Sequence, residues 1–146
     1  SEEMSTIMDR VYYENYPRVR DYQRWVDRNL SRYGFAENLF GRRYYVSNMR
    51  FSYKMYNYLI QGTCADLVKE KELAISRFLK EGQFKTKMIM PIHDEIQFSV
   101  PPEEEYLVKN LQEIMQDARS VIKTIPMLCE VKYFDTNWAE KKAYNA

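Results

Sequence analysis

The sequence predicts an α+β fold, in which helices pack with short antiparallel hairpins. Three observations support this prediction. Four segments, residues 2–15, 17–33, 48–79 and 103–123, have sequences typical of helices. Two apolar runs, 87–91 and 96–100, surround a tight polar turn, which is the pattern of a β-hairpin. Strands and helices do not alternate regularly, so we do not expect a parallel sheet of βαβ units.

The first half of the chain carries clear helix boundaries. Residues 2–15 place Ile7 and Val11 on one helical face. Pro17 can begin the second helix because its missing N–H is not needed in a first turn, and Gly34 suits the end of that helix. Residues 35–46 predict a short hairpin that turns at residues 38–41.

The longest predicted helix covers residues 48–79 and contains Gly62. Glycine in a helix interior costs about 1 kcal/mol relative to alanine, so we expect something bulky to approach the backbone there. Gly82 is expected to end this segment. Pro101 and Pro102 are expected to end the second strand and to open the helix 103–123, and residues 127–133 are predicted to form a last strand.

Length and composition predict a single soluble unit over residues 1–146. Apolar residues make up 45% and charged residues 29% of the chain, and no run approaches the roughly 20 apolar residues that cross a bilayer. Two cysteines without metal-type spacing indicate free thiols, so we expect a cytoplasmic protein with no membrane partner. The net charge of +1 gives no nucleic-acid signal by itself.

The turn formed by His93, Asp94 and Glu95 is the most informative part of the sequence. Carboxylates at the tip of an apolar hairpin are costly to desolvate unless they meet a cation or stay in water. Carboxylate oxygens suit Mg²⁺, and adjacent residues on extended backbone point to opposite faces. Asp94 or Glu95 could therefore hold a metal ion; the alternative is an ordinary solvated turn.

A second cluster lies in the long helix. Asn57 and Gln61 are four residues apart and share one helix face. Both side chains carry a donor and an acceptor, which can read the acceptors that every base pair presents in the minor groove. The alternative is a pair of ordinary surface residues.

Five motifs in order resemble DNA polymerases of family A, the group related to bacterial polymerase I. The run IQGTCADLVK at residues 60–69 and the run IHDEI at residues 92–96 carry most of the resemblance. The other matches are Tyr12-Tyr13 with Tyr16-Pro17, the run Leu39-Phe40-Gly41-Arg42-Arg43, and Asn137-Trp138. The resemblance covers almost the whole chain and implies the C-terminal part of a polymerase palm, with the hairpin carrying the catalytic turn against helices.

The resemblance also implies roles for individual residues. Asp94 resembles the second catalytic aspartate of the palm, a ligand of two Mg²⁺ ions, and Glu95 resembles the adjacent acid at the metal site. His93 resembles the residue beside the primer terminus. Asn57 and Gln61 resemble the pair that contacts the template–primer minor groove. The implied partners are a DNA template–primer and a dNTP.

Basic residues complete the implied DNA contacts. Arg42 and Arg43 resemble the basic pair of a hairpin near the fingers–palm junction. The family often has arginine four residues before the asparagine, where this chain has Tyr53; Lys54 could replace it as a phosphate contact, although as a point charge. Pro91 stands where the family commonly has glutamine, so one primer contact is expected to be missing.

The first palm motif and the fingers helix of the family do not occur in these residues. The two-metal site would then be completed by residues outside this chain, and the chain alone should not polymerise. Three explanations fit: a split polymerase, for example of a phage, with an N-terminal polypeptide as partner; a piece of a longer chain; or the product of protein splicing, for which Ser1 could be the nucleophile. We prefer the first.

Two alternatives remain open. The chain could be a non-catalytic module that binds DNA or a polymerase, which would make Asp94 dispensable. The row Arg20, Arg24, Arg28 and Arg32 could line phosphates, or it could be a solvated helix face paired with nearby aspartates.

Overall fold

A computed structural model of the chain describes residues 2–119 and 121–144. The splicing hypothesis rests on Ser1, which lies outside the described residues. Contacts divide the chain into two compact units, residues 1–63 and 64–146. The two units are described separately below. The prediction that residues 1–146 act as a single unit stays a prediction.

The first unit begins with two helices whose bounds agree with the prediction. Helix α1 covers Glu2–Asn15 and helix α2 covers Pro17–Tyr33, with Pro17 in the first turn. Gly34 adopts a φ of 77°, and its N–H donates to the carbonyl of Leu30. This left-handed conformation is readily available to glycine, so the helix ends where the sequence supplies one.

A short hairpin follows, as predicted. Strand β1 (Phe35–Glu37) pairs antiparallel with β2 (Arg43–Tyr45). The turn is held by Asn38, whose Oδ1 accepts hydrogen bonds from the backbone N–H groups of Phe40 and Arg42. An asparagine side chain that bonds to nearby backbone in this way stabilises a turn.

Helix α3 covers Tyr53–Glu81 and is preceded by a 3₁₀ turn, Met49–Phe51. The predicted start at residue 48 therefore corresponds to this turn, in which the Asn48 side chain accepts from the N–H of Arg50. The expected close approach to Gly62 is confirmed, because a Cβ there would lie 1.8 Å from the Tyr44 hydroxyl oxygen. Glycine thus lets strand β2 contact the helix backbone.

The core of the first unit joins α2, β1 and the start of α3. It consists of five buried residues: Val26, Leu30, Ala36, Met55 and Leu59. Tyr22 and Tyr56 pack against this core, and their hydroxyl groups form hydrogen bonds. The Tyr22 hydroxyl donates to the carbonyl of Tyr56, and the Tyr56 hydroxyl donates to Asp27. Burial raises the pKa of both tyrosines, and for Tyr56 the hydrogen bond to Asp27 adds to this effect.

The second unit contains the rest of α3 and a hairpin of β3 (Lys87–Ile92) with β4 (Glu95–Ser99). Its core groups Ile75, Leu79 and Leu111. Phe84 packs against this core after α3 ends. Its N–H donates to the carbonyl of Leu79, while the N–H of Gln83 donates to the carbonyl of Lys80, the hydrogen-bond pattern of a Schellman motif.

The predicted helix 103–123 is wrong at both ends. Helix α4 covers only Leu107–Gln116, after a 3₁₀ turn, Pro102–Glu104. Glu104 was expected in the first turn of this helix. Its carboxylate instead accepts hydrogen bonds from the backbone N–H groups of Lys85 and Thr86. After Gln116, the carboxylate of Asp117 accepts from the backbone N–H of Arg119, a local bond that competes with helix continuation.

The predicted strand 127–133 is mostly irregular. Only β5 (Lys132–Tyr133) forms, and it pairs with β6 (Lys142–Ala143). A 3₁₀ turn, Trp138–Glu140, lies between them, with Asn137 accepting from the N–H of Ala139. Across residues 2–119 and 121–144, no helix combines the length and apolar character needed to span a membrane.

Candidate active site

The tip of the β3–β4 hairpin is a two-residue loop. Ile92 pairs with Glu95, so the loop consists of His93 and Asp94, and Glu95 already belongs to β4. The predicted three-residue turn 93–95 is therefore one residue too long. His93 has a φ of 55°, which is uncommon for a residue with a side chain. A positive φ at the first loop position is typical of a type II′ turn, where glycine is usual.

Asp94 presents a free carboxylate at this tip. The residue is exposed, and its side chain makes no hydrogen bond or ion pair with the residues that the structure describes. Its oxygens are therefore available to an outside group. Among the described residues, no three His, Cys, Asp or Glu side chains come together as a metal site. Asp94 could supply one ligand of a Mg²⁺ ion. The ion would need its other ligands from elsewhere.

Glu95 has a different environment from Asp94. One carboxylate oxygen accepts from the indole Nε1 of Trp138 at 3.0 Å, and the other accepts from Nζ of Lys141 at 2.7 Å. Gln97 adds a longer bond of 3.3 Å. The hydrogen bonds from Lys141 and Trp138 hold the pKa of the Glu95 carboxyl below its ordinary value. The proposed metal role of Glu95 stays a prediction, and its carboxylate is already engaged by protein donors.

The predicted DNA contacts lie in the first unit, on the exposed side of α3. Lys54, Asn57 and Gln61 are all exposed, and their spacing of three and four residues places them along one face. The buried residues Met55 and Leu59 lie on the side that faces the core. Lys54 Nζ lies 4.8 Å from the centre of the Phe51 ring. The helix thus brings these three polar side chains together where a ligand could reach them.

The two arginines of the first hairpin differ in their contacts. Arg43 forms an ion pair with Glu37 at 2.8 Å, and its guanidinium lies 4.4 Å from the centre of the Phe35 ring. The hydrogen bond to Glu37 raises the pKa of Arg43. Arg42 is exposed and takes part in the turn through its backbone. Their predicted role near DNA stays untested.

The arginine row of α2 is exposed, and part of it contacts aromatic rings. The guanidinium carbon of Arg20 lies 4.2 Å from the centre of the Tyr13 ring, and that of Arg32 lies 5.2 Å from the Tyr33 ring. A phosphate-binding face and a solvated face both stay predictions for this row.

The fold and the sequence of the chain both resemble those of known proteins. The fold is similar to that of a polymerase: the POL domain of Pol1 from M. smegmatis, solved in complex with a DNA primer-template and dNTP, matches with a TM-score of 0.73 and 26% identity. The match covers 81% of this chain and 23% of that chain. Residues 1–140 match the model described as DNA polymerase family A. The chain belongs to DNA polymerase family A.

Full-length relatives extend the comparison. DNA polymerase I of Caldicellulosiruptor bescii is 30% identical over 140 residues, which are 90% of this chain and 16% of that protein. The thermostable DNA polymerase I of Thermus aquaticus is 30% identical over 143 residues, 89% of this chain and 16% of that protein. The resemblance found in the motifs and the α+β fold class are thereby confirmed. The chain spans about a sixth of the length of these relatives.

Sequence reasoning missed the partners of Glu95. The motif Asn137-Trp138 was a signal, since it belongs to the resemblance, but nothing in the sequence linked Trp138 to a residue 43 positions earlier. Lys141 carried no signal at all. Both contacts are set by tertiary structure, which a local pattern does not encode.

Proposed function

We propose that this chain is the C-terminal portion of a DNA-directed DNA polymerase and that Asp94 supplies one of the carboxylates that bind catalytic Mg²⁺. The observation that carries the proposal is the Asp94 carboxylate at the tip of the β3–β4 hairpin, exposed and without a partner among the described residues. Membership of family A supports it.

The chemistry follows from the site. When bound, Mg²⁺ neutralises charge on the transferred phosphoryl group and makes the primer hydroxyl a better nucleophile. Asp94 would contribute to holding it from the tip of the β3–β4 hairpin. His93, the other loop residue, would then lie beside the primer terminus. A single free carboxylate does not complete a two-metal site, so the remaining carboxylate and the dNTP-binding residues come from polypeptide outside residues 1–146.

The partners follow from the same reasoning. Lys54, Asn57 and Gln61 would face the template–primer, with the amides in the minor groove and the lysine on a phosphate. Arg42 and Arg43 would add positive charge near the duplex. The missing polypeptide could be joined to this chain or be a separate subunit. A phage origin, a split polymerase and a cytoplasmic location remain predictions.

Primer extension tests the proposal most simply. This chain, joined to or mixed with a polypeptide that carries the other polymerase motifs, should extend a primer in the presence of Mg²⁺. Asp94→Asn should lower the extension rate by at least about a thousandfold, because it removes a metal ligand. Glu113→Gln is the control. It removes an exposed carboxylate on α4, in the same compact unit as Asp94, and should leave the rate unchanged.

A DNA-binding assay separates catalysis from binding. Asn57→Ala and Gln61→Ala should each weaken primer-template binding by roughly fivefold, the effect of about 1 kcal/mol per lost hydrogen bond. Asn110→Ala, at an exposed position on α4, is the matched control. If Asp94→Asn extends primers normally while the α3 variants lose DNA binding, the chain is a binding module and the catalytic proposal is wrong.

A further inference from the structure

The C-terminal segment of the second unit is attached mainly by polar contacts. Residues 129–144 form one wall of a cavity of about 1280 Å³, whose other walls include β4 and α4. The residues of the segment are half-buried or exposed, and none belongs to the buried apolar core of this unit. Hydrogen bonds attach the segment to the rest of the unit. Gln112 Nε2 donates to the carbonyl of Cys129, and the Tyr144 hydroxyl donates to Glu105.

The third attachment point is the catalytic hairpin itself. Trp138 and Lys141 each donate to a different oxygen of Glu95, at 3.0 Å and 2.7 Å. Nζ of Lys141 also lies 3.9 Å from the centre of the Trp138 ring, so the two donors support each other. Glu95 is the first residue of β4 and the neighbour of Asp94 in the chain.

From this geometry we infer that Glu95 is a positioning residue, which ties the hairpin tip to residues 138–141 and thereby fixes the direction of the Asp94 carboxylate. The inference rests on the proposed function, because it gives Asp94 the metal. It differs from the role expected by resemblance, in which Glu95 itself assists at the metal.

Charge and geometry favour this role over direct metal binding. Both Glu95 oxygens accept short hydrogen bonds, and charge-assisted bonds of this kind are among the stronger ones in proteins. A metal ion on the same carboxylate would meet the positive charge of Lys141 at close range, which is repulsive. The Lys141 side chain is only 21% exposed, so water screens this repulsion incompletely.

Nuclear magnetic resonance of the chain tests the link without DNA or a partner. The chain has two tryptophans, so Trp25 on α2 is an internal control for Trp138. Lys141→Met and Glu95→Gln should both shift the Trp138 indole N–H signal and the backbone amide signals of His93 and Asp94, and leave the Trp25 signal in place. Lys142→Met, at the adjacent exposed lysine, should shift none of these signals. Unchanged His93 and Asp94 signals in Lys141→Met would overturn the inference.

Steady-state primer extension gives the functional readout on the assembled polymerase. Glu95→Gln, Trp138→Phe and Lys141→Met should each lower kcat by about 10- to 100-fold, the usual effect of removing a group that orients a metal ligand, with little change in KM for dNTP. Glu95→Gln combined with Lys141→Met should lose no more than either change alone, because both break one contact. Lys141→Arg should keep most of the activity.

The opposite pattern would show that Glu95 binds the metal. In that case, Lys141→Met would remove a competing charge and would preserve or improve activity at low Mg²⁺, whereas Glu95→Gln would still lower it. The resonance shifts, unlike these activities, do not depend on the proposed function. If Asp94→Asn polymerises normally, the catalytic role of Asp94 fails, whereas the resonance shifts still decide whether residues 138–141 fix the hairpin tip.

Discussion

At the scale of single residues, two positions have backbone conformations that their side chains do not favour. Gln83 has a φ of 53° and His93 has a φ of 55°, the two positive values at residues other than glycine in the described ranges. A left-handed conformation costs a residue with a Cβ about 1–2 kcal/mol. Gln83 occupies the helix-ending position where glycine is common, and Gly82 precedes it, where a Cβ would meet the Phe84 ring.

Changing these two residues to glycine should have similar effects on stability but different effects on function. Gln83→Gly and His93→Gly should each stabilise the fold by up to about 1 kcal/mol, because relief of strain exceeds the entropy cost of glycine. Chemical denaturation measures this change. Gln83→Gly should leave primer extension intact, whereas His93→Gly should slow it, because the imidazole is lost. Gln83→Ala keeps the strain and should gain nothing; a gain equal to that of Gln83→Gly would contradict the explanation.

Glu104 is a second residue-scale feature, since it is a buried carboxylate that organises the start of β3. Its side chain accepts from the N–H groups of Lys85 and Thr86 and from the Thr86 hydroxyl. Burial by itself would raise the pKa of Glu104, but these hydrogen bonds outweigh burial and leave the pKa below its ordinary value. The charged form is therefore favoured by folding.

The sign of this shift sets the pH dependence. A carboxyl with a lowered pKa in the folded state contributes stability above its unfolded pKa of about 4.3, and that contribution is lost as the pH falls through the folded pKa. Glu104→Gln should lower Tm at pH 7, and the gap to the wild type should narrow below about pH 4. Glu103→Gln breaks only an exposed pair with Lys85 and should change Tm little. A gap that does not depend on pH would contradict this account.

At the scale of elements, the contact between α3 and β2 depends on the absence of a side chain at residue 62. The Tyr44 hydroxyl oxygen occupies the space that a Cβ would take, and Tyr44 itself packs against the core of the first unit. Gly62 therefore allows the hairpin and the helix that carries Asn57 and Gln61 to approach each other.

A double-mutant cycle measures this contact. Gly62→Ala should lower the free energy of unfolding by about 1–3 kcal/mol, the typical cost of overpacking. In a Tyr44→Ala background the space is empty, and Gly62→Ala should then stabilise the helix by up to about 1 kcal/mol. The reversal of sign is the test, and thermal or chemical denaturation is the measurement. The same destabilisation in both backgrounds would show that Tyr44 is not the obstacle.

The elements that sequence predicts well are those with local boundaries. Pro17 and Gly34 delimit α2 through their own backbone preferences, and the polar turn between apolar runs locates the β3–β4 hairpin. Helix α4 was predicted to begin too early because Glu104 binds the backbone of Lys85 and Thr86, which lie 19 and 18 residues earlier and directly before β3. The attachment of Trp138 to Glu95 was not predictable, since no local pattern specifies a contact between residues so distant in sequence.

At the scale of the whole molecule, the candidate residues fall into two groups on two compact units. The amides and Lys54 lie in residues 1–63, and the hairpin tip lies in residues 64–146. Residues 1–140, which include both groups, match a single family model. The proposal requires that the Asp94 carboxylate meets a metal ion that a carboxylate from outside this chain also binds.

Cleavage of the protein by iron bound in place of Mg²⁺ tests this requirement most directly. In the assembled polymerase with primer-template and dNTP, Fe²⁺ and peroxide should cut the chain at residues 93–95, and excess Mg²⁺ should suppress the cuts. Asp94→Asn should abolish them, and Glu113→Gln should not. Cleavage confined to other segments, or cleavage at the hairpin tip that survives Asp94→Asn, would contradict the assignment of Asp94 to the metal.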